Sequence, residues 1–304
     1  MFTDPAQQSS KLEASQSASA SGNHFENEID AIRQSISADD THLQLARSRT
    51  QAVRDAALSF VGALRSYGAG SLFHETVNRP VSDGDCGVVL DRRAYPSLGP
   101  DSVAGGGPTD VVFEMADHVL EALKQDDDLG ASYAETTKRA IVFHFVDDGS
   151  DEPNPSVDLI VGVTRTEGDG LWIPNTETNT WDASHPEGHT ALLTAPPKDL
   201  RVHRARLIRL AKEAVKTNEP SVLISFNIEA LALALVTEIG DLGDGLRTLF
   251  GGMASEIEGG LTPDPCGVSA DIKLPDGILY TYAIKRLQHF ESKLAEAQTH
   301  GDDL

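Results

Sequence analysis

The spacing of apolar and polar positions divides the chain into a mixed first part and a helical second part. In the first part, helical spacing predicts a short helix near residues 26–36 and a long helix from about Asp39 to Tyr67. Compact apolar runs predict three buried strands, over residues 86–90, 140–146 and 156–163. Helical spacing predicts a helix over residues 109–125, between the first two strands. Residues 171–197 contain four prolines and are predicted to form a loop. Helical spacing returns over 199–217, 221–238, 241–259 and 280–298.

Length and composition set the expected domain organisation. The chain has 304 residues, of which 39% are hydrophobic, and this is enough for one large domain or two small ones. Residues 1–22 are rich in Ser, Ala and Gln and predict a disordered tail, because they cannot offset their ordering entropy by burial. We therefore expect an α+β fold, with residues 23–197 as a mixed lobe that contains the long helix and residues 198–304 as a helical lobe.

The chain is strongly acidic, with 25 Lys and Arg against 47 Asp and Glu and a net charge of −22. Such a surface repels phosphate backbones and anionic membranes, so the charge argues against a protein that coats nucleic acid or binds a membrane. The sequence predicts neither a membrane span nor a secretory signal. Cys86 and Cys266 lack the spacing of a metal site or of a disulfide framework, so a reducing, cytoplasmic location is expected.

Three aspartates are the main candidates for chemistry. Asp83 and Asp85 are two residues apart at the start of a predicted strand, so their side chains point to the same face. Asp158 lies inside the strand 156–163, where an unpartnered charge is costly. Carboxylates this close repel each other unless they are protonated or bridged by a cation, and hard oxygen ligands suit magnesium. If the two strands are neighbours, the three carboxylates would hold two metal ions, as in-line nucleotidyl transfer requires.

A Gly-Ser turn at Gly70 and Ser71 precedes these aspartates. Its successive backbone amides would form an anion-binding nest for a triphosphate. Each of these assignments has a simpler alternative. Asp83 and Asp85 would then be a polar turn that caps a strand, and Asp158 would face water at a strand edge.

The order Gly-Ser, Asp-x-Asp and Asp resembles the nucleotidyltransferase fold of the DNA polymerase beta superfamily. Five further segments follow in the order seen in bacterial cGAS/DncV-like nucleotidyltransferases, the second-messenger synthases of CBASS antiphage defence; they are SVDLIVGV, LWIPNTETNTWDASHPEGH, RLIRLAKEAVK, SVLISFNIEALAL and DPCGVS. The resemblance covers about residues 40–290. It implies a polymerase beta-like lobe with a small mixed sheet, a helical second lobe, and an active site in the cleft between them.

The resemblance also implies roles for individual residues. The three aspartates would hold two magnesium or manganese ions, with Asp158 nearest the attacking hydroxyl, and the Gly-Ser turn would hold the donor triphosphate. In the second lobe, Lys212 and Ser225 would contact the phosphates and Phe226 would stack on the donor base. The alternatives are a solvated helix lysine, a serine that caps a helical turn, and an aromatic residue of the core.

The function that the resemblance implies is a magnesium-dependent enzyme that condenses nucleoside triphosphates, ATP among the candidates, into a cyclic oligonucleotide and releases pyrophosphate. CBASS accessory or effector proteins would be its partners. We expect no nucleic-acid activator, because the chain has no basic stripe. Two other functions stay open: a nucleotidyltransferase that modifies an RNA end or a protein, and a catalytically silent nucleotide-binding module.

Two local features lead to further predictions. Gly84, Cys86 and Gly87 stand where larger apolar residues are usual in this family, which predicts a bulge at the start of the strand. His185 and His189 flank Pro186 with no third ligand nearby in sequence, so we expect them to be surface histidines.

Overall fold

The structure, a computed structural model, describes residues 24–147, 149 and 152–300. The predicted tail over residues 1–22 lies outside these residues. The chain divides into two compact units. The sheet unit consists of Ser37–Pro196 and Pro263–Asp271, and the helical unit consists of the described parts of Met1–Ile36, Pro197–Thr262 and Ile272–Leu304.

The sheet unit contains a seven-stranded mixed sheet, and the α+β prediction is confirmed. Its elements in chain order are α2 (Asp40–Leu58), β1 (Ala63–Ala69), α3 (Gly70–His74), β2 (Asp83–Leu90), α4 (Thr109–Leu123), β3 (Ala131–Thr136), β4 (Ile141–Phe145), β5 (Ser156–Thr164), β6 (Leu171–Asn175), β7 (Thr180–Ser184) and α5 (Pro186–Thr194); a helix over residues 24–35, α1, precedes them. The strand order is β1-β2-β5-β4-β3, and β6 pairs with β5 and with β7. The β2–β5 pair is parallel and the other pairs are antiparallel.

One face of this sheet is covered by α2 and α4, and the main core lies there. Along β2 and β5 the residues on this face alternate with those on the other, as period-two strands require. The covered positions include Cys86, Val88, Val157 and Leu159, each at most 1% exposed. Because this face is apolar, the intervening positions of the two strands are the ones available for polar side chains.

The prediction that one long helix continues to Tyr67 is wrong. Helix α2 ends at Leu58, and Gly62, with φ of +81°, reverses the chain into β1. The apolar residues around Leu64 that fitted a helical pattern belong to a strand that pairs antiparallel with β2. Short apolar stretches satisfy both periods, and pairing with a partner distant in sequence decides between them.

The prediction of a loop over residues 171–197 is also wrong, since β6, β7 and α5 lie there. Pro174 is within β6, where it faces Trp181 in the β6–β7 pair. This position is consistent with proline near the edge of a sheet. Strand β3 was not predicted, because its residues are either exposed or half-buried and carry little apolar signal.

The helical unit contains α1 together with four helices near the predicted positions: α6 (Lys198–Thr217), α7 (Ser225–Leu235), α8 (Leu242–Glu258) and α9 (Tyr280–His300). Among the described residues, no helix combines the length and apolar character needed to cross a bilayer.

Two segments lie outside the lobes to which the sequence assigned them. Helix α1 belongs to the helical unit, because Phe25 is buried there and the Glu26 carboxylate accepts hydrogen bonds from the amides of Leu242 and Gly243 at the start of α8. Residues 263–271 belong to the sheet unit. Their turn is held by Asp264, whose carboxylate accepts the amide hydrogens of Val268 and other residues of the turn.

Candidate active site

The three predicted aspartates share one face of the sheet. In the parallel β2–β5 pair, Asp83 lies opposite Ser156 and Asp85 lies opposite Asp158. Paired residues of neighbouring strands point to the same side, and so do residues two apart in one strand. The register therefore brings the carboxylates of Asp83, Asp85 and Asp158 onto the face opposite the main core, at the starts of the two strands.

The predicted Gly-Ser turn lies directly beside this cluster. Gly70 begins α3 with φ of +67°, a conformation that favours glycine. A Cβ at position 70 would overlap the carboxylate of Asp85. The backbone of the turn thus contacts one of the carboxylates, and only a residue without a side chain permits that approach.

Helix α3 is held in place from both sides. Leu72 is buried in a small apolar cluster with Ala46 of α2 and Val81. His74 is buried and its Nε2 lies 2.9 Å from the Thr190 hydroxyl of α5. These contacts give the turn at Gly70 a defined position relative to β2.

The predicted bulge at the start of β2 is absent, since the register between β2 and β5 is continuous from Asp83 to Leu90. The glycines at positions 84 and 87 are explained instead by a lack of space for a side chain. A Cβ at Gly84 would overlap the hydroxyl of Thr50 in α2, and a Cβ at Gly87 would overlap the ring of Tyr67 in β1. Side chains from two neighbouring elements fill the space that larger residues would occupy.

The start of β5 is anchored by a buried arginine. Arg49 of α2 donates to Asn154 Oδ1 at 2.6 Å and to the Pro155 carbonyl at 2.8 Å. Asn154 in turn donates to the Phe145 carbonyl at 2.8 Å. Since Asp158 follows three residues later, this arrangement ties the position of its strand to α2 and β4.

The electrostatics of the cluster are those of like charges held together. Burial, together with the neighbouring Asp83 carboxylate, raises the pKa of Asp158 from 3.8 to about 6. Among the described residues, neither Asp83 nor Asp158 forms an ion pair with Lys or Arg. An all-oxygen, multiply charged donor set fits a hard divalent cation.

Three residues beside Asp158 were missed by the sequence analysis. The β4–β5 register sets Val142 opposite Asp158, so His144 lies on the same face, and Tyr133 pairs with His144 from β3. Their rings stack at a centroid distance of 4.3 Å and an interplanar angle of 15°. His144 Nε2 is 3.0 Å from Glu135 Oε1. No local pattern marks these residues, because only the strand order brings them next to Asp158.

In the helical unit, the three residues predicted to contact the nucleotide differ in burial and in their partners. Lys212 of α6 donates to Glu229 Oε1 at 2.6 Å, and both side chains are largely buried. Ser225 is the first residue of α7 and is exposed, while Phe226 is half-buried. The paired Lys212 is therefore not the solvated lysine of the simpler alternative.

This chain is similar to known proteins in its three-dimensional fold. No family model matches the chain, and no curated protein matches it. Its structure is similar to the CD-NTase CdnG of Bradyrhizobium diazoefficiens in complex with GTP, with a TM-score of 0.67, 13% identity and coverage of 90% of this chain and 92% of that one. The chain has the CD-NTase fold.

Two further structures with the CD-NTase fold agree. The CdnE cyclic dinucleotide synthase of Elizabethkingia meningoseptica, with GTP and Apcpp, has a TM-score of 0.59, 17% identity and coverage of 88% of this chain and 98% of that one. The Vibrio cholerae cyclic AMP-GMP synthase DncV, described as a prokaryotic cGAS homolog, has a TM-score of 0.56, 14% identity and coverage of 98% and 87%. The fold predicted from the order of the motifs is confirmed.

Within the CD-NTase fold of this chain, the prediction of two surface histidines is only half right. His185 caps α5, its Nδ1 accepting the Gly188 amide hydrogen at 3.1 Å. His189 is 6% exposed and packs edge-on against His74 at a ring-centroid distance of 5.3 Å. It is therefore a buried residue that supports α3.

Proposed function

We propose that this protein is a magnesium-dependent nucleotidyltransferase that condenses nucleoside triphosphates into a cyclic oligonucleotide and releases pyrophosphate. The observation that carries the proposal is the register that aligns Asp83, Asp85 and Asp158 on one face beside the Gly70 turn, in a chain with the CD-NTase fold. A chain with this fold but without one of the carboxylates would instead suggest a silent nucleotide-binding module.

The three aspartates would hold two Mg²⁺ or Mn²⁺ ions. When bound, these ions supply charge neutralisation for the phosphates and a lower pKa for the attacking hydroxyl. The chain's own residues do the positioning. The amides of Gly70 and Ser71 bind the donor triphosphate, and Asp158 orients the attacking hydroxyl. The hydroxyl oxygen bonds to the α-phosphorus, the bond between that phosphorus and the pyrophosphate oxygen breaks, and the hydroxyl proton passes to water while pyrophosphate leaves.

In this proposal, the strand order also sets the sides of the aspartate cluster on which the donor and the acceptor nucleotides bind. The Gly70 turn adjoins β2 on one side of the aspartates, while His144 and Tyr133 adjoin Asp158 on the other. The donor nucleotide therefore belongs on the β1 side and the acceptor nucleoside on the β4 side. The exposed Tyr133 ring offers an aromatic surface on which any base can stack.

Lys212, Ser225 and Phe226 keep their predicted roles as phosphate and base contacts in this proposal. We further propose that a linear intermediate forms first and is bound again for ring closure. A crystal structure of DncV in complex with the linear intermediate 5′ pppA(3′,5′)pG supports this order for that enzyme. Antiphage defence in the cytoplasm, with CBASS accessory or effector proteins, is the biological role that this product would serve.

The decisive test is the nature of the product. Purified protein is incubated with α-labelled nucleoside triphosphates and Mg²⁺ or Mn²⁺, and the products are treated with phosphatase. We expect a small labelled species that survives phosphatase, because a ring has no terminal phosphate, and that a phosphodiesterase cuts. Asp158→Asn is expected to abolish this species while triphosphate binding is retained.

Other outcomes separate the alternatives. Label on an added RNA or on a protein indicates a macromolecular acceptor. Products that are all sensitive to phosphatase exclude ring closure but leave nucleotidyl transfer in place. Absence of any labelled product with every triphosphate, from folded protein, contradicts the proposed activity.

A further inference from the structure

A cavity in the helical unit has the opposite charge to the rest of the molecule. It has a volume of about 340 Å³ and is lined by the first turns of α6 and by the connection between α7 and α8. The charged or titratable residues of its lining are Lys198, Asp199, His203 and Arg206. In a chain with a net charge of −22, two permanent cations against one carboxylate are an unusual lining.

Arg204 and Lys212 of α6 have partners, whereas Lys198 and Arg206 of the cavity, like the exposed Lys216, form no ion pair among the described residues. The helix carries seven Lys or Arg residues and two acidic residues. Arg204 donates to the Val236 carbonyl and Lys212 to Glu229. Within the described part of the chain, Lys198 and Arg206 form no ion pair and no side-chain hydrogen bond. Their charge is therefore available to a ligand.

His203 adds a buried donor to this cavity. It is 6% exposed, and it has no hydrogen-bond partner among the described residues. Burial and the nearby Arg206 lower the pKa of His203, and Asp241 at the start of α8 opposes this effect. Neither ring nitrogen of His203 is among the enclosed atoms that lack a partner, so the imidazole opens onto the cavity, where a ligand oxygen can accept its hydrogen bond.

The neighbouring helix α1 presents both signs of charge to these cations, since hydrogen bonds from Arg33 and Gln34, with a smaller contribution from the charge of Arg206, lower the pKa of Asp30. Arg33 of α1 pairs with Asp30, but Arg33 and Arg206 still lower the pKa of Arg209, after burial, which has the larger effect. Cations that lower one another's pKa values in this way are stabilised by a bound anion. The cavity volume is at the lower end of the range of small-molecule sites.

We propose that this cavity binds a phosphate group, either free or as the monoester of a small metabolite. Lys198 and Arg206 would neutralise its charge, and His203 would donate a hydrogen bond to one of its oxygens. All the lining residues lie within the helical unit, and none of them is among the residues assigned to the catalytic site. The inference is independent of the proposed function.

The test follows the imidazole signal of His203 by NMR in the full-length protein, assigned by its loss in His203→Phe. Sodium phosphate is titrated without divalent metal, against sodium chloride at the same ionic strength and pH. We expect a saturable shift of the His203 signal with phosphate and none with chloride. The pKa of His203 is expected to rise in phosphate, because the anion stabilises the imidazolium.

Variants separate this site from general charge effects. Lys198→Gln with Arg206→Gln is expected to weaken phosphate binding by at least about tenfold, since two charge-assisted hydrogen bonds are lost. The matched control, Lys285→Gln with Arg47→Gln, removes the same charge at exposed positions outside the cavity and should leave binding unchanged. Circular dichroism checks that both variants fold.

A parallel titration with glycerol 3-phosphate separates the two sources of the phosphate group. Tighter binding of the ester assigns the site to a phosphorylated metabolite, and tighter binding of inorganic phosphate assigns it to the free ion. An equal shift in chloride, an unsaturated response to both phosphates, or unchanged binding in the cavity variant overturns the proposal.

Discussion

The carboxylate cluster of the sheet unit and the cation-lined cavity of the helical unit are built differently. In the sheet unit, the backbone register of β2 and β5 aligns Asp83, Asp85 and Asp158, so the spacing of the carboxylates is fixed by the strands. In the helical unit, Lys198 and Arg206 reach the cavity with long, flexible side chains from the turns of one helix. The first arrangement suits catalysis, which needs fixed geometry, and the second suits binding, which tolerates adjustment.

The largest expected effect is on the carboxylate cluster. Asp83→Asn together with Asp85→Asn should lower turnover by at least about 1,000-fold, because the ions that neutralise the phosphates lose their ligands. The melting temperature without metal should hold or rise, since repulsion from Asp83 is removed at Asp158. Turnover and thermal unfolding are measured on the same preparation.

Its control removes two charges from exposed positions of the same unit. Asp117→Asn with Asp127→Asn should leave turnover within about twofold, since surface changes away from special features have small effects. If the active-site double variant failed to fold, or turned over normally, the aspartates would be structural residues and the contrast with the cation cavity would disappear.

A smaller effect is expected from Gly70→Ala. The substitution places a Cβ against Asp85 and should lower turnover by about 100-fold, because a displacement of about 1 Å in an active site has this cost. Gly105→Ala is the matched control: Gly105 also has a positive φ, +60°, but nothing lies within 4 Å of its Cβ position.

Both glycine variants should lose about 1–2 kcal/mol of unfolding free energy from the left-handed backbone. Only Gly70→Ala should also lose turnover, and kcat measured beside urea unfolding separates the two effects. Equal losses of turnover in both variants would mean that the contact with Asp85 has no part in activity.

The smallest expected effect is the pH dependence of the metal-free protein. The pKa of Asp158 is about 6 in the folded chain, above its ordinary value of 3.8, so the folded state holds a proton that the unfolded state releases. The stabilisation that this bound proton gives to the folded state is complete below pH 4 and is lost as the pH rises through 6. The urea midpoint should therefore fall between pH 4 and 6, and Asp158→Asn should remove that fall.

The metal affinity should change in the opposite direction. Because a bound ion requires the deprotonated carboxylate, Mg²⁺ or Mn²⁺ binding should strengthen by up to about tenfold per pH unit up to pH 6 and then level off. Calorimetric titration at three pH values measures this. An affinity that does not vary with pH would remove Asp158 from the metal ligands.

The aspartates could be predicted from the sequence because their signal is local. Two carboxylates two residues apart before an apolar run, and a third inside another run, need only the period of a strand. Tyr133, Glu135 and His144 could not be predicted, because the β3–β4–β5 pairing that brings them beside Asp158 is not encoded in any short segment. The same reason accounts for β1, whose residues fit a helix until β2 is present to pair with them.

The strand order β1-β2-β5-β4-β3 also gives the proposed reaction a direction. In the proposal, the donor binds on the β1 side and the acceptor on the β4 side. A newly formed linear dinucleotide would therefore carry its triphosphate on the acceptor side, away from the Gly70 turn that binds a donor triphosphate. It must leave and return reversed before the ring closes. Ring closure then competes with fresh triphosphates for the same pocket, so the ratio of cyclic to linear product would fall as the triphosphate concentration rises.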